Sequence, residues 1–344
     1  MSHIGLDLGS HSIKCIELDL VNKNPTLVNF SVLESDKLKL DFNKEDSVNM
    51  YVSKIKEFFS ETNFKSREVN LSLPDTDVFV SVQVLPKMNP TELRNYISLQ
   101  ANDIFPENIS NLTYDFKILG EKEGQKLEVL VVGAKRDKVE KYINLVKRCD
   151  LTPKLIEARS ISLSRVIAPL DNPNPVMVLD FGYNSSTLQI SYKQTPRFIK
   201  SIAIGSNSFN RALVQNLNLS LIQADEFKKS YGMDPHVAEG RVYTYLKPLV
   251  DSYILDIKRS IVYFNEKNKG MDISEIYLSG GLANMPGLRE YLEKNLNYKV
   301  EVFDIFSRIR VSSELKKYES ELFHISPLLT TAVGTAGIDM LWMN

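Results

Sequence analysis

Asp7, Gly9, Ser10, Ser12 and Lys14 fall within one short alternating segment, in which Leu6 and Leu8 flank Asp7 with the two-residue period of a strand. Gly9 lets the backbone approach a ligand closely at the turn, and Ser10, Ser12 and Lys14 place donors around it. A carboxylate beside such a turn is suited to holding phosphates. The pattern returns once. Asp180, Gly182 and Ser185 repeat Asp7, Gly9 and Ser12 at a constant displacement of 173 positions (180−7, 182−9, 185−12) in a chain of 344. Asn184 adds a donor to the second turn. Two Asp-x-Gly-x-x-Ser hairpins imply two related halves around one cleft, where a nucleoside triphosphate and its metal would fit. A third stretch, residues 276–288, reads as a strand ending in Gly280-Gly281, with a helix beginning at Pro286. Two residues without side chains at a strand's carboxyl end let a flat ring rest on the backbone, so this is the expected adenosine site.

The elements that must position these residues follow from the pattern. A strand is expected at 26–32, a helix at 48–59 through Val52, Ile55, Phe58 and Phe59, and strands at 69–74 and 78–85. Asn89-Pro90-Thr91-Glu92 is a capped helix start. Leu93, Tyr96, Ile97, Gln100, Ala101, Ile104 and Phe105 line one face of that helix until Pro106 stops it. A hairpin over 113–119 and 127–134 and a helix from Asp137 complete an inserted subdomain, 88–153, that carries no catalytic signature. Asn172-Pro173-Asn174-Pro175 bars helix and strand and marks the crossing between halves. Beyond the second hairpin, helices are expected after Gly205-Ser206 and over 221–231 and 246–266, the last two separated by a polar loop at 232–240. The tail, 326–342, has small residues Ala332, Gly334, Ala336 and Gly337 and no basic face, so it reads as a buried closing helix rather than a membrane-binding one. The expected domains are 1–87 with 154–172, the insert 88–153, 173–209 with 271–344, and a small adenosine-side subdomain 210–270.

Composition narrows the function classes. Charge is balanced, 42 basic against 43 acidic residues, so no global field draws the chain to nucleic acid or an anionic membrane. The two cysteines, Cys15 and Cys149, sit in apolar patterns and read as buried thiols in a reducing compartment. The amino terminus lacks the features of a signal peptide. No apolar run reaches the roughly 18 residues needed to span a bilayer. A cytoplasmic protein that reaches a membrane only through a partner is expected.

Phosphate hairpin, connecting helix, second hairpin and Gly-Gly turn, in this order over the whole chain, resemble the actin-like ATPase superfamily. Leu85-Pro86-Lys87-Met88 leading into Asn89, the Ile104-Phe105-Pro106 ending, and Val131-Val132-Gly133-Ala134 before its helix are similar to the PilM family within the FtsA and PilM branch. The resemblance implies an α/β, ribonuclease H-like fold of two lobes around ATP and Mg2+. Gly9, Ser10, Ser12 and Lys14 would meet the phosphates from one lobe, and Gly182, Asn184, Ser185 and Gly205 from the other. Asp7 and Asp180 would orient the metal through waters. Lys228, Arg259, Gly280 and Gly281 would surround adenosine, and Glu157 would face the attacking water. The family usually has two adjacent glycines where this chain has Gly205-Ser206, and glutamate where it has Asp225, while His11 and Tyr183 add bulk to both phosphate turns. ATP binding with weak or absent turnover is therefore expected.

The resemblance also implies a partner, the cytoplasmic amino-terminal peptide of a PilN-like single-span membrane protein, held in a groove between the first lobe and the insert. It admits contacts with other pilus platform proteins and ATPase motors, and self-association. A small-molecule kinase, an FtsA-like division protein and a type II secretion module share the same superfold.

Overall fold

The computed structural model describes residues 3–34, 40–338 and 340. β1 (His3–Leu8), β2 (Ser12–Val21) and β3 (Asn24–Glu34) form an antiparallel meander. α1 (Glu45–Glu61) sends Tyr51, Ile55 and Phe59 into the core at helical spacing, and β4 (Glu68–Leu73) then pairs parallel to β1. β5 (Val78–Pro86), α2 (Pro90–Leu99), α3 (Ala101–Ile104), β6 (Leu112–Lys122) and β7 (Lys126–Lys135) follow. α4 (Arg136–Arg148), β8 (Thr152–Ala158) and α5 (Arg159–Ile167) close the first half.

The second half runs β9 (Val176–Phe181), β10 (Ser186–Tyr192), β11 (Thr195–Ile202), α6 (Ser206–Leu217), α7 (Leu221–Tyr231) and α8 (Arg241–Lys267). β12 (Ile276–Gly280), α9 (Leu288–Leu296), β13 (Val300–Val302), β14 (Arg310–Val311) and α10 (Glu319–Ala336) complete it.

The duplication read in the sequence is present in the sheets. One sheet has the order β14-β3-β2-β1-β4-β8 and the other β11-β10-β9-β12-β13, so each is a three-strand meander extended by two parallel strands. β14 departs from the symmetry by crossing back to pair with β3 of the first sheet. α5 and α10 lie between the sheets, where Leu163, Val166, Ala332 and Val333 share a core with Ile16 and Val178. Small residues permit that approach. A Cβ on Gly5 would lie 2.3 Å from the Ala332 carbonyl oxygen, and one on Gly334 would lie 2.0 Å from that of Ser162. The closing helix expected from the small-residue tail is thus a buried one; positions 339, 341 and 342 of that stretch lie outside the described residues.

The insert differs from its expected limits. Its sheet, β5-β7-β6, takes in Val78–Pro86, which the sequence assigns to the first lobe. Conversely, α4 lays Tyr142, Leu145 and Val146 on the first-lobe core beside Tyr51 and Leu71. Alternation identifies a strand but cannot say which sheet it joins. The capping box at Asn89 and Glu92 is present. The helix it starts breaks at Gln100, which is exposed, while Leu93, Ile97, Ala101, Ile104 and Phe105 are buried. α9 starts after Pro286 because Gly287 takes a left-handed conformation at its cap (φ +70°). Among the described residues, no helix is long and apolar enough to cross a membrane.

Candidate functional site between two duplicated hairpins

Asp7 faces Lys14 across its hairpin and lies beside Ser72 of β4; its counterpart Asp180 faces Thr187 and lies beside Ser279 of β12. The turns correspond as closely. A Cβ on Gly9 would lie 2.6 Å from the Ser12 carbonyl oxygen, and one on Gly182 would lie 2.6 Å from that of Ser185. Glycine at both positions therefore lets each hairpin close, with the Gly9 N–H donating to the Ser12 carbonyl at 2.9 Å. Gly205 lets the amino terminus of α6 sit on the second turn, where Ser206 and Asn207 N–H groups donate to the carbonyls of Gly182 and Tyr183.

The two turns enclose a cavity of about 150 Å3, lined by Asp7, Gly9, Ser10, Ser12 and Lys14 from the first half and by Asp180, Gly182, Asn184 and Ser185 from the second. Lys228, Gly280 and Gly281 line it further out. Gly205 immediately precedes Ser206, which is part of the lining. The structure thus brings together most of the residues that sequence singles out, and it leaves two apart. Arg259 is on the exposed side of α8 and does not line the cavity. Glu157 shares a cross-strand row with Ser72 and Asp7, but two strand spacings, roughly 10 Å, separate it from Asp7. Both its oxygens are held bidentately by buried Arg165, at 2.7 and 2.6 Å. It lines a separate groove together with Ile156 and Ala158, not the cavity.

The electrostatic centre of the cavity is a residue that the sequence reading passes over. Arg159, the first residue of α5, donates through Nη2 to Asp7 Oδ1 at 2.6 Å, while Lys14 donates to Oδ2 at 3.0 Å. Burial pushes the Asp7 carboxyl upward, but Arg159 and Lys14 outweigh it and hold the pKa down at about 2. For Asp180 burial prevails over the same two cations and the pKa is raised; for Asp75 burial prevails over Arg159 and over hydrogen bonds from Ser160, whose N–H it accepts at 3.1 Å. Burial works against the charge on Arg159, yet Asp7, Asp180 and Asp75 together raise its pKa. A sequence signal existed: α5 has no side-chain cap and begins with a cation, against the preference of a helix amino terminus for acidic groups.

The outer wall is braced. Lys228 Nζ donates to Ser206 Oγ at 2.6 Å, Asn210 Oδ1 at 2.8 Å and Asp225 Oδ1 at 2.6 Å, which uses all three of its protons. The hydroxyl of Ser206, where the family usually has a second glycine, is one of those acceptors. At the strand end, Gly280 has φ +80° and a Cβ there would lie 2.4 Å from the Phe181 carbonyl oxygen, whereas a Cβ on Gly281 meets nothing nearer than 3.9 Å. Gly280 is demanded by the fold; Gly281 leaves open space over the cavity. Across the mouth, the rings of His11 and Tyr183 stack at 4.1 Å.

Glycine-closed turns, a guanidinium with an unpartnered Nε, and an open backbone ledge at Gly281 fit a nucleotide. Asp7, expected to orient a metal through waters, has one oxygen on Arg159 and the other on Lys14, so two cations of the chain already stand beside it.

Comparisons with known proteins agree with this architecture. The chain is similar to one in the PilM-PilN type IV pilus biogenesis complex, at 22% identity over 99% of both chains with a TM-score of 0.83. It is similar to the ethanolamine utilization protein EutJ from Carboxydothermus hydrogenoformans, at 14% identity over 98% of this chain and 89% of that one, TM-score 0.59. It is also similar to MreB5 of Spiroplasma citri bound to AMPPNP, at 13% identity over 96% and 94%, TM-score 0.53. At these identities the likeness establishes an actin-like fold. The model of the type IV pilus assembly protein PilM family matches residues 5–337, and the chain belongs to that family.

Proposed function

We propose that this chain is an ATP-binding, actin-like scaffold of the type IV pilus inner-membrane platform that grips the cytoplasmic amino-terminal peptide of a PilN-like membrane protein. The family match over nearly the whole chain carries the reading. The paired glycine turns and the ledge at Gly281 support nucleotide as the ligand of the cleft. The likeness to a chain solved in a complex with PilN supports the partner. A groove of about 210 Å3 supports the docking site. Val78, Thr113, Tyr114, Val132 and Ala134 of the insert form one wall, and Leu73, Val139, Ile156 and Ala158 of the first lobe form the other. A mainly apolar groove beside a small sheet, with Asp115 and Glu157 also in its lining, suits an extended peptide, with main-chain hydrogen bonds for affinity and pockets for side-chain choice. Binding of that peptide would bring the protein to the cytoplasmic face of the inner membrane.

The test is calorimetric titration of a peptide copying the amino-terminal segment of the PilN-like protein, with and without ATP. Binding to the wild type and its loss in Thr113→Arg, an exposed groove position, is the expected result. A peptide that does not bind, or binds Thr113→Arg equally well, overturns the docking site. A peptide affinity altered by ATP would couple the two sites as a nucleotide-linked switch.

A further inference from the structure

We propose that Arg159, braced by Asp7, is a phosphate-binding residue, and that with Lys14 it supplies the positive charge that a divalent cation ordinarily supplies beside a nucleotide. On this proposal, which rests on the cleft being a nucleotide site, the chain binds nucleoside triphosphate without requiring a divalent ion.

Three observations carry it. Asp7, the buried carboxylate beside the first phosphate turn, has one oxygen on Arg159 at 2.6 Å and the other on Lys14 at 3.0 Å. A magnesium ion binds through one or two carboxylates together with substrate phosphates, and at Asp7 it would meet two cations already held on the carboxylate, which repel it. Secondly, Arg159 keeps a buried Nε with no hydrogen-bond partner, and its side chain lines both the cavity between the turns and the adjoining cavity beside Ser10 and Ser185. A guanidinium fixed by one carboxylate, with an unpartnered N–H and lining the space between a pair of phosphate turns, is suited to an oxyanion, which its planar fork matches well. Thirdly, Arg159 breaks a local rule: it is a cation at the first position of a helix with no side-chain cap, while Asp75 accepts the Ser160 N–H in the place of a cap. Such local violations concentrate at functional sites. The duplication makes the asymmetry plain, because the position equivalent to Lys14 is Thr187. The first half alone brings both cations.

The experiment measures the affinity of the full-length protein for a fluorescent ATP analogue by anisotropy, in magnesium and in excess EDTA. The expected result is a Kd that differs by less than about threefold between the two buffers. In EDTA, Arg159→Gln is expected to weaken binding by about 10–100-fold, the range for loss of a hydrogen bond to a charged group, with magnesium restoring part of it. Nucleotide that binds the wild type only with magnesium overturns this inference and leaves the nucleotide site standing. Nucleotide that binds in neither buffer overturns both. The wild-type comparison needs no variant to fold. As a second readout, manganese is added to the nucleotide complex and followed by electron paramagnetic resonance. All manganese remaining free supports the proposal, and a bound signal stoichiometric with protein overturns it.

Discussion

The imidazole of His11 lies flat on the phenol ring of Tyr183, with ring centroids 4.1 Å apart and planes inclined by 6°. The rings belong to the two duplicated turns, so the stack joins one half of the molecule to the other across the mouth of the cleft. The cavity behind it, about 150 Å3, is smaller than the 300–1,000 Å3 usual for ligand pockets. On the nucleotide reading of the cleft, the stack is expected to part when ligand enters. Tyr183→Ala is expected to speed both association and dissociation of a fluorescent nucleotide by about 3–10-fold, the equivalent of the 0.5–1.5 kcal/mol an aromatic pair contributes. Stopped-flow mixing measures both rates, and unchanged rates would show that the stack is not a latch.

Asp7 and Asp180 occupy equivalent places and should respond oppositely to neutralisation. Asp7→Asn leaves Arg159 and Lys14 without their carboxylate and should cost about 3 kcal/mol of stability. Asp180→Asn removes a carboxylate that burial disfavours in its charged form, and should be neutral or stabilising. The pH dependence has a defined sign. The folded-state pKa of Asp7 is depressed, so its stabilisation is fully present above about pH 4 and is lost as pH falls towards about 2. Urea denaturation across that window should show the gap between wild type and Asp7→Asn closing.

Two adjacent glycines separate fold from function. Gly280→Ala, at φ +80° and against the Phe181 carbonyl, should destabilise the protein by about 1–3 kcal/mol. Gly281→Trp enters open space. It should fold with a melting temperature near that of the wild type and lose nucleotide affinity by more than about tenfold. Thermal melts and nucleotide titration distinguish the two, and a Gly281→Trp variant that binds normally would remove nucleotide from this ledge.

Glu157 is predicted to matter for stability and not for nucleotide binding. Its bidentate pair with Arg165, whose side chain is 1% exposed, also places Arg165 Nη1 on the Gly334 carbonyl at 2.5 Å, tying β8, α5 and α10 together. Glu157→Ala strands a buried guanidinium and should cost about 3–5 kcal/mol. Denaturant titration reads that loss, and an unchanged nucleotide Kd shows that Glu157 does not hold nucleotide.

Cys15 and Cys149 are both buried, and burial pushes their thiol pKa values up, that of Cys149 to about 12. A thiol reagent should titrate neither in the native protein and both after denaturation. Fast reaction of either in the native state would contradict this packing.

Sequence by itself determined the repeat, and with it the paired meanders, the two glycine turns and the Gly-Gly ledge. Those features are local: an alternating pattern, a residue without a side chain and a polar neighbour are all readable within a dozen positions. It also determined the buried closing helix, because small residues at 332–337 have a use only where backbones approach closely. Tertiary structure decided which sheet β5 joins and which core α4 covers, since strand and helix periodicities carry no address. It decided the partners of the charges as well. Arg159 lies 152 positions from Asp7, and Glu157, two residues before it, turns to Arg165 instead. A charge has no meaning until a neighbour is placed beside it, and only the folded chain places it.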